Sequence, residues 1–227
     1  MAVTVERRVT PRGELVLRRD GEHFEVVSNG VFLMDTRNGA SERVLVQAAL
    51  DRAQPPYRVL IGGLGVGFSL IEALNDERVA HVTVVEIEPT IIDWHRRHLT
   101  HLTGDVLTDA RAEVVAVGIG EALRQSAVSC YDAICLDVDN GPDWTVSDAN
   151  DALYGDEGTA LLASRLTPGG VLTVWSAAQS PPYLQVLRRH FGNVDVIEIP
   201  VPRGEPDVVY AATKIVSQTQ GCDSDSS

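Results

Sequence analysis

Val59-Leu-Ile-Gly-Gly-Leu-Gly-Val-Gly67 is an apolar run that stops abruptly in glycines, and the acidic Glu86-Ile87-Glu88 follows about twenty residues later. That order reads as strand, tight turn, helix and second strand, with a carboxylate where a ribose would lie. Glycine suits such a turn because a missing Cβ lets backbone N–H groups approach a ligand and lets the helix pack on the strand. A Gly-rich turn can also serve packing alone; the acid at this spacing is what points to a nucleotide-type cofactor.

The glycine spacing separates two kinds of nucleotide. A dinucleotide fingerprint needs Gly-x-Gly-x-x-Gly, and counting from Gly63 the sixth position is Phe68. The chain instead has Gly63-x-Gly65-x-Gly67, preceded by Gly62, which suits a smaller nucleoside. This argues against an NAD-dependent oxidoreductase. Glu86 is expected to accept hydrogen bonds from both ribose hydroxyls, since an ionised carboxylate offers acceptors only. Asp137 ends a later apolar strand at the same sheet edge, where a reacting group can reach it.

Outward from this core the pattern alternates. Arg58–Ile61, His81–Glu86, Ala112–Val117, Tyr131–Asp137, Gly170–Ser176, Val194–Pro200 and Asp207–Ala212 read as strands. Gly62–Leu74, Pro89–Leu102, Gly118–Arg124, Tyr154–Leu166 and Pro181–Phe191 read as helices. Alternation of this kind predicts an α/β fold, a Rossmann-like, mostly parallel sheet with helices on both faces. The last two strands predict an antiparallel closing hairpin. Before it, Glu14–Arg18 and Glu22–Val27 flank Asp20-Gly21, a hairpin turn signal, and Val31–Asp35 follows. Residues 41–54 read as a helix capped by Ser41. The expected organisation is an N-terminal β-rich lid and helix over 1–54, a nucleoside-binding domain over 55–216, and a polar, disordered tail over 217–227.

Composition narrows the function. The chain has 227 residues, 44% of them hydrophobic, and a net charge of -13. Its first 50 residues hold seven basic and seven acidic side chains, leaving 12 against 25 for the rest. Such a surface disfavours nucleic acid, which needs clustered Lys and Arg, and suits a cationic small molecule. No apolar stretch approaches the roughly 18–20 residues that span a bilayer, so no membrane role is expected. Cys130, Cys135 and Cys222 form neither a paired framework nor a Cys-x-x-Cys, which fits a reducing cytoplasm. His95, His98 and His101 recur every three residues, but no carboxylate or cysteine completes a metal set; they are expected on a wet outer helix face. No Gly-x-Ser-x-Gly elbow supports hydrolase chemistry.

Five stretches carry a more specific resemblance: Val59–Gly67, Val84-Val-Glu-Ile-Glu-Pro89, Tyr131-Asp-Ala-Ile-Cys-Leu-Asp137, Leu153-Tyr-Gly-Asp-Glu-Gly158 and Leu166-Thr-Pro-Gly-Gly-Val-Leu172. From about residue 30 to 212 the chain resembles the spermidine synthase group, the polyamine aminopropyltransferases, within the class I S-adenosylmethionine-dependent methyltransferase fold. It is also similar to bacterial spermidine-synthase-like proteins, which share a run like Leu136-Asp-Val-Asp-Asn-Gly-Pro-Asp143. The resemblance implies a sulfonium nucleoside donor, S-adenosylmethionine or its decarboxylated form, with S-adenosylhomocysteine or methylthioadenosine as product. It implies donor contacts from Gly62, Gly63, Gly65, Gly67, Glu86, Ile87, Gly118, Ile119 and Asp137.

Departures from the group's pattern bear on the acceptor. Its Asp-x-x-Asp, one acid helping to deprotonate the amine, appears here as Asp137-Val138-Asp139-Asn140, so Asp137, Asp139 and Asn140 are the catalytic candidates. Its Tyr-His-Glu appears as Ala40-Ser41-Glu42, retaining only Glu42, and its Gly-Asp-Gly as Gly118-Ile119-Gly120. Glu42, Asp143, Trp144 and Ser176 are the substrate candidates. Each has a plainer reading: a solvated helix face for Glu42, turn-forming polarity for Asp143, an exposed turn aromatic for Trp144, and a strand-end hydroxyl for Ser176. The lost Tyr-His and second Asp favour methyl transfer to a small nucleophile over aminopropyl transfer to a polyamine. A catalytically silent nucleoside-binding or homodimeric relative is the rival class.

Overall fold

The computed structural model describes residues 2–216 apart from 139, 145–147 and 203. Four antiparallel strands open the chain: β1 (Val3–Thr10), β2 (Gly13–Asp20), β3 (His23–Ser28) and β4 (Val31–Asp35), paired in that order. β1 lies outside the expected antiparallel unit. Most of its side chains are exposed, so it carries little core signal, and its extended state comes from pairing with β2. Leu15 and Leu17 of β2 and Phe24 and Val26 of β3 are buried in the same hydrophobic cluster as the central sheet. This small sheet is thus packed onto the body of the protein.

The helix α1 (Ala40–Leu50) follows. Ser41 does not cap it. The capping position is Gly39, and the Ser41 hydroxyl is engaged by a carboxylate elsewhere in the fold. From residue 57 the chain builds β5 (Tyr57–Gly62), α2 (Phe68–Asn75), β6 (Val79–Val85), α3 (Pro89–Trp94), α4 (Thr100–Thr103), β7 (Ala112–Val115), α5 (Ile119–Gln125) and β8 (Tyr131–Leu136). It continues through α6 (Asp148–Tyr154), α7 (Asp156–Arg165), β9 (Leu166–Ser176), α8 (Pro181–His190), β10 (Asn193–Ile199) and β11 (Asp207–Thr213). The helix expected over Pro89–Leu102 is interrupted by a wide π-type turn over His95–Leu99, where the Thr100 hydroxyl donates to the carbonyls of His95 and Arg96.

The seven-stranded sheet has the order β10-β11-β9-β8-β5-β6-β7, with β5 through β9 parallel and the β10–β11 hairpin antiparallel. Protein covers both of its faces. Val59 and Ile61 enter one hydrophobic cluster, with Leu45 and Val46 of α1 and Leu70 of α2, while Leu60 enters the other, with Leu123, Leu162 and Leu187 of α5, α7 and α8. Successive residues of a strand face opposite ways, which is why three consecutive apolar residues can all be fully buried. Each such side chain adds about 1.5–3 kcal/mol relative to exposure. The chain crosses from one side of the sheet to the other between β5 and β8, and a crevice at such a switch point, beyond the strand carboxyl ends, receives ligands. No helix among the described residues is long and apolar enough to cross a membrane. The polar tail, residues 217–227, lies outside the described residues.

Candidate active site

β5, β6 and β8 end level with one another, and their last residues begin the site. The Gly63 N–H donates to the Val85 carbonyl at 2.8 Å and the Asp137 N–H to the Gly62 carbonyl at 2.9 Å, so the ladder runs one step past the strands. Gly63 has φ +92°, and a Cβ there would sit 2.1 Å from the Asp137 carbonyl oxygen. Only glycine meets both constraints.

Beyond Gly63 the loop is held from below by Glu86. One carboxylate oxygen accepts from the Leu64 N–H at 3.0 Å and the other from the Glu88 N–H at 2.8 Å. Burial pushes the Glu86 carboxyl above its ordinary range, and the amides of Glu88, Leu64 and Gly65 pull it back. Three amides occupy three of the carboxylate's four acceptor sites, so the group can organise the loop and still accept one bond from a ligand.

A cavity of about 880 Å³ opens above these strand ends. That volume lies within the range of small-molecule sites. Its walls combine three sources. The glycine loop supplies Gly63, Gly65 and Gly67; Ile87, Val117, Ile119 and Val138 form an apolar side; and the N-terminal sheet contributes Phe32, Leu33, Met34 and Asp35. The β1–β2 hairpin closes one edge, where Arg12 and the Thr10 hydroxyl reach Glu88 at 3.3 and 3.4 Å. Gly62 and Gly118 stand behind this lining, Gly62 against Leu136 and Gly118 against Ile87.

The floor is acidic. Asp137, Glu42 and Asp207 all line the cavity, as do Asp35, Glu86 and Glu88, and Arg12 is the one basic side chain among the lining residues. Burial, then the negative charges of Glu42 and Asp207, push the Asp137 carboxyl up to about 7. Burial also raises the Glu42 carboxyl, and Asp207 and Asp35 add to the effect. Asp207 is held in place by the Ser41 hydroxyl, which donates to it at 2.6 Å.

Several expected site residues are elsewhere. Ser176 is buried behind the cavity, its hydroxyl donating to the Ala178 carbonyl at 2.6 Å, so it is not available to a substrate there. Its neighbour Trp175 takes the cavity position, because adjacent residues of β9 face opposite sides. Asp143 accepts from the Ser180 hydroxyl at 2.8 Å, and Trp144 is 67% exposed; neither lines the cavity. Asn140 does line it, while Asp139 lies outside the described residues.

The three histidines do not share a wet face. His95 is buried with its Nε2 3.0 Å from the Gly65 carbonyl, His98 contacts Glu6 of β1 at 3.0 Å, and His101 packs edge-on against Phe24. His95 follows the buried Ile91 and Ile92 by one helical turn, its N–H still bonding the Ile91 carbonyl, so regular helical spacing places it on the inward face. Sequence reading missed His95, Trp175, Asp207 and Ser69. Ser69, in the first turn of α2, is buried on the cavity wall, and its hydroxyl has no hydrogen-bond partner among the described residues. For Asp207 a signal exists: it shares strand parity with the buried Val209 and Ala211 of β11.

Comparison with known proteins agrees with this architecture. The sequence profile described as the spermine/spermidine synthase domain matches residues 39–189. Polyamine aminopropyltransferase 2 of Pseudomonas aeruginosa is 32% identical over 170 residues, covering 70% of this chain and 46% of that protein. Putrescine N-methyltransferase 3 of Nicotiana tabacum is 28% identical over 162 residues, 70% of this chain and 41% of the relative. The chain therefore spans less than half the length of these curated relatives. Among solved structures, a spermidine synthase in complex with the transition-state analogue AdoDATO superposes with a TM-score of 0.79 at 18% identity, over 94% of this chain and 74% of the other. By sequence and by fold, the chain belongs to the spermine/spermidine synthase domain family.

Proposed function

We propose that the protein transfers an aminopropyl group from decarboxylated S-adenosylmethionine to a small amine. The observation that carries this reading is the acidity of the cavity: Asp35, Glu42, Glu86, Glu88, Asp137 and Asp207 line it, Arg12 is the one basic lining residue, and Asp35 and Glu88 are paired with Arg37 and Arg12. Decarboxylated donor carries a sulfonium and an ammonium with no carboxylate, and an acceptor polyamine is cationic too. An acid-lined, partly water-excluded cleft attracts both and disfavours the extra carboxylate of S-adenosylmethionine. The named aminopropyltransferases among its relatives support the same choice. They weigh against the preference for methyl transfer drawn from the lost Tyr-His and second Asp.

The residues present fit a nucleoside donor. Glycines at 63, 65 and 67 line the cavity, with open space beside Gly65 where a side chain would enter it, Glu86 retains acceptor capacity, and the buried Ser69 hydroxyl and Glu88 Oε2 lack partners among the described residues. Gly62 and Gly118 support that cradle from behind, and Ile87, Val117 and Ile119 offer an apolar wall to a base. When bound, the donor supplies a carbon activated by attachment to a sulfonium.

The chain's own work is then to hold the amine and take its proton. An ammonium has no lone pair for attack, so a proton must leave before or during transfer. Asp137, held near neutrality by burial and by its acidic neighbours, is suited to accept it at pH 7–8. Glu42 and Asp207 flank the position from α1 and β11 and orient the amine; Asn140 offers a neutral amide beside them. Asp143, Trp144 and Ser176, which do not line the cavity, have no part in this reading.

Methyl transfer to the same kind of amine is the second reading, favoured by the putrescine N-methyltransferase relatives. Calorimetry separates the two by donor. Aminopropyl transfer predicts at least tenfold tighter binding of the decarboxylated donor than of S-adenosylmethionine at pH 7.5. The reverse order would replace this reading with the methyl one.

A further inference from the structure

His95 lies outside the cavity, yet it touches the loop that forms the cavity's wall. Its ring is almost fully buried, and Nε2 sits 3.0 Å from the carbonyl oxygen of Gly65. A carbonyl can only accept, so Nε2 carries the proton and the neutral ring leaves Nδ1 as a bare acceptor. Nδ1 is buried and has no partner among the described residues. Burial also lowers the basicity of the ring, against the opposing effect of the Gly65 hydrogen bond.

Two further features fit the ring to this place. Gly67 has φ +95°, and a Cβ there would lie 2.7 Å from His95 Cε1, so the absence of a side chain at 67 makes room for the imidazole. His95 also lies one helical turn after the buried Ile91 and Ile92, which places its side chain on the inward face toward the loop, and a wide turn begins there. Such turns interrupt helices frequently at functional sites. The loop is therefore clamped from two sides: Glu86 holds the Leu64 N–H, and His95 holds the Gly65 carbonyl.

We propose that His95 is a positioning residue for the donor: its Nε2–H fixes the Gly65 carbonyl and thereby keeps the Gly63–Gly67 loop in the conformation that receives the nucleoside. The inference rests on the donor-site reading above for its ligand, while its structural half stands on the loop itself. Without the Nε2–H bond the Gly65 peptide is free to rotate, since glycine permits many backbone angles. A rotated peptide changes which N–H groups face the cavity.

The test uses the full chain and three variants: His95→Phe, which keeps an aromatic ring without a donor, His95→Gln, which keeps an N–H donor, and His95→Ala. Amide hydrogen exchange at Leu64 and Gly67, whose N–H groups bond Glu86 and the Leu64 carbonyl, reads the loop without any ligand. Methylthioadenosine affinity by calorimetry reads its consequence. Phe and Ala should speed exchange at these amides at least tenfold and weaken methylthioadenosine at least fivefold, with Gln restoring part of both. In the wild type, nitrogen NMR should show the neutral Nε2–H tautomer at pH 7. Unchanged loop exchange in a folded Phe variant, or an Nδ1–H tautomer, would overturn the proposal. If wild-type protein fails to bind methylthioadenosine, the donor reading falls, and loop exchange still decides whether His95 is the clamp.

Discussion

The hydroxyl of Ser41 donates to the carboxylate of Asp207 at 2.6 Å, joining two residues 166 positions apart at the acidic floor of the cavity. One lies on the first helix and the other at the start of the last strand, so the bond ties the ends of the fold together at the place where an amine would sit. Because Asp207 also raises Asp137, this pair sets both the shape and the charge of the floor.

Replacing Asp207 by Asn should shift the pH dependence of turnover. Asp137 acts as a base only when ionised, so activity rises with pH through its value of about 7. Removing the negative charge of Asp207 favours the ionised form and lowers that value. The rising limb of kcat/KM, which reports the free enzyme, should therefore move to lower pH in D207N and in E42Q alike. Measurement of kcat/KM from pH 5.5 to 9 checks this; a limb that stays in place would remove the coupling.

Asp137→Asn should lower kcat by about 100-fold or more, the scale of a lost acid–base group, while donor affinity changes little. The same variant should gain thermal stability at alkaline pH. A carboxyl whose folded value lies above the unfolded one, 3.8 rising to about 7 here, contributes stability fully below the unfolded value and loses it as pH climbs through the folded one. D137N removes that loss, so its Tm should exceed the wild type's by a few degrees at pH 8 and by less at pH 5. Equal differences at both pH values would mean that the carboxyl is not raised.

Glu86→Gln should weaken methylthioadenosine by roughly 1–3 kcal/mol, the cost of a lost buried hydrogen-bond acceptor. Glutamine keeps one oxygen, so either Leu64 or Glu88 would face an NH₂ group instead of an acceptor. Calorimetry on the folded variant reads the loss, and wild-type affinity would separate Glu86 from the ligand.

Two glycine substitutions should diverge. Gly63→Ala places a methyl 2.1 Å from the Asp137 carbonyl at φ +92°, and a destabilisation of about 2–4 kcal/mol is expected. Gly21→Ala has φ +63° with open space around it and should cost only about 1 kcal/mol. Denaturant unfolding of both variants measures the difference.

The sheet was readable from sequence because its strands are short apolar runs bounded by glycine, proline or acid, as Val59–Gly62 and Tyr131–Leu136 show. Two peripheral elements, β1 and α6, were not. β1 exposes most of its side chains and exists by virtue of its partner, and α6 is only seven residues long, too short for its spacing to stand out. At the site, the glycines and Glu86 were legible because backbone conformation and strand register confine them. Ser176 and Trp175 were exchanged by a single step of strand parity, which sequence reading does not fix at a strand end. The spacing from Ile91 and Ile92 marks the inward face of His95, but its contact with Gly65 and the placing of Asp207 beside Ser41 depend on tertiary packing.

Turnover with defined donors tests the central claim most directly. Purified protein is incubated at pH 8 with putrescine or a short panel of diamines, once with decarboxylated S-adenosylmethionine and once with S-adenosylmethionine, and the products are identified by mass. The acid-lined cavity predicts methylthioadenosine and an aminopropylated amine from the decarboxylated donor, abolished in D137N. S-adenosylhomocysteine and a methylated amine from the carboxylated donor alone would contradict it.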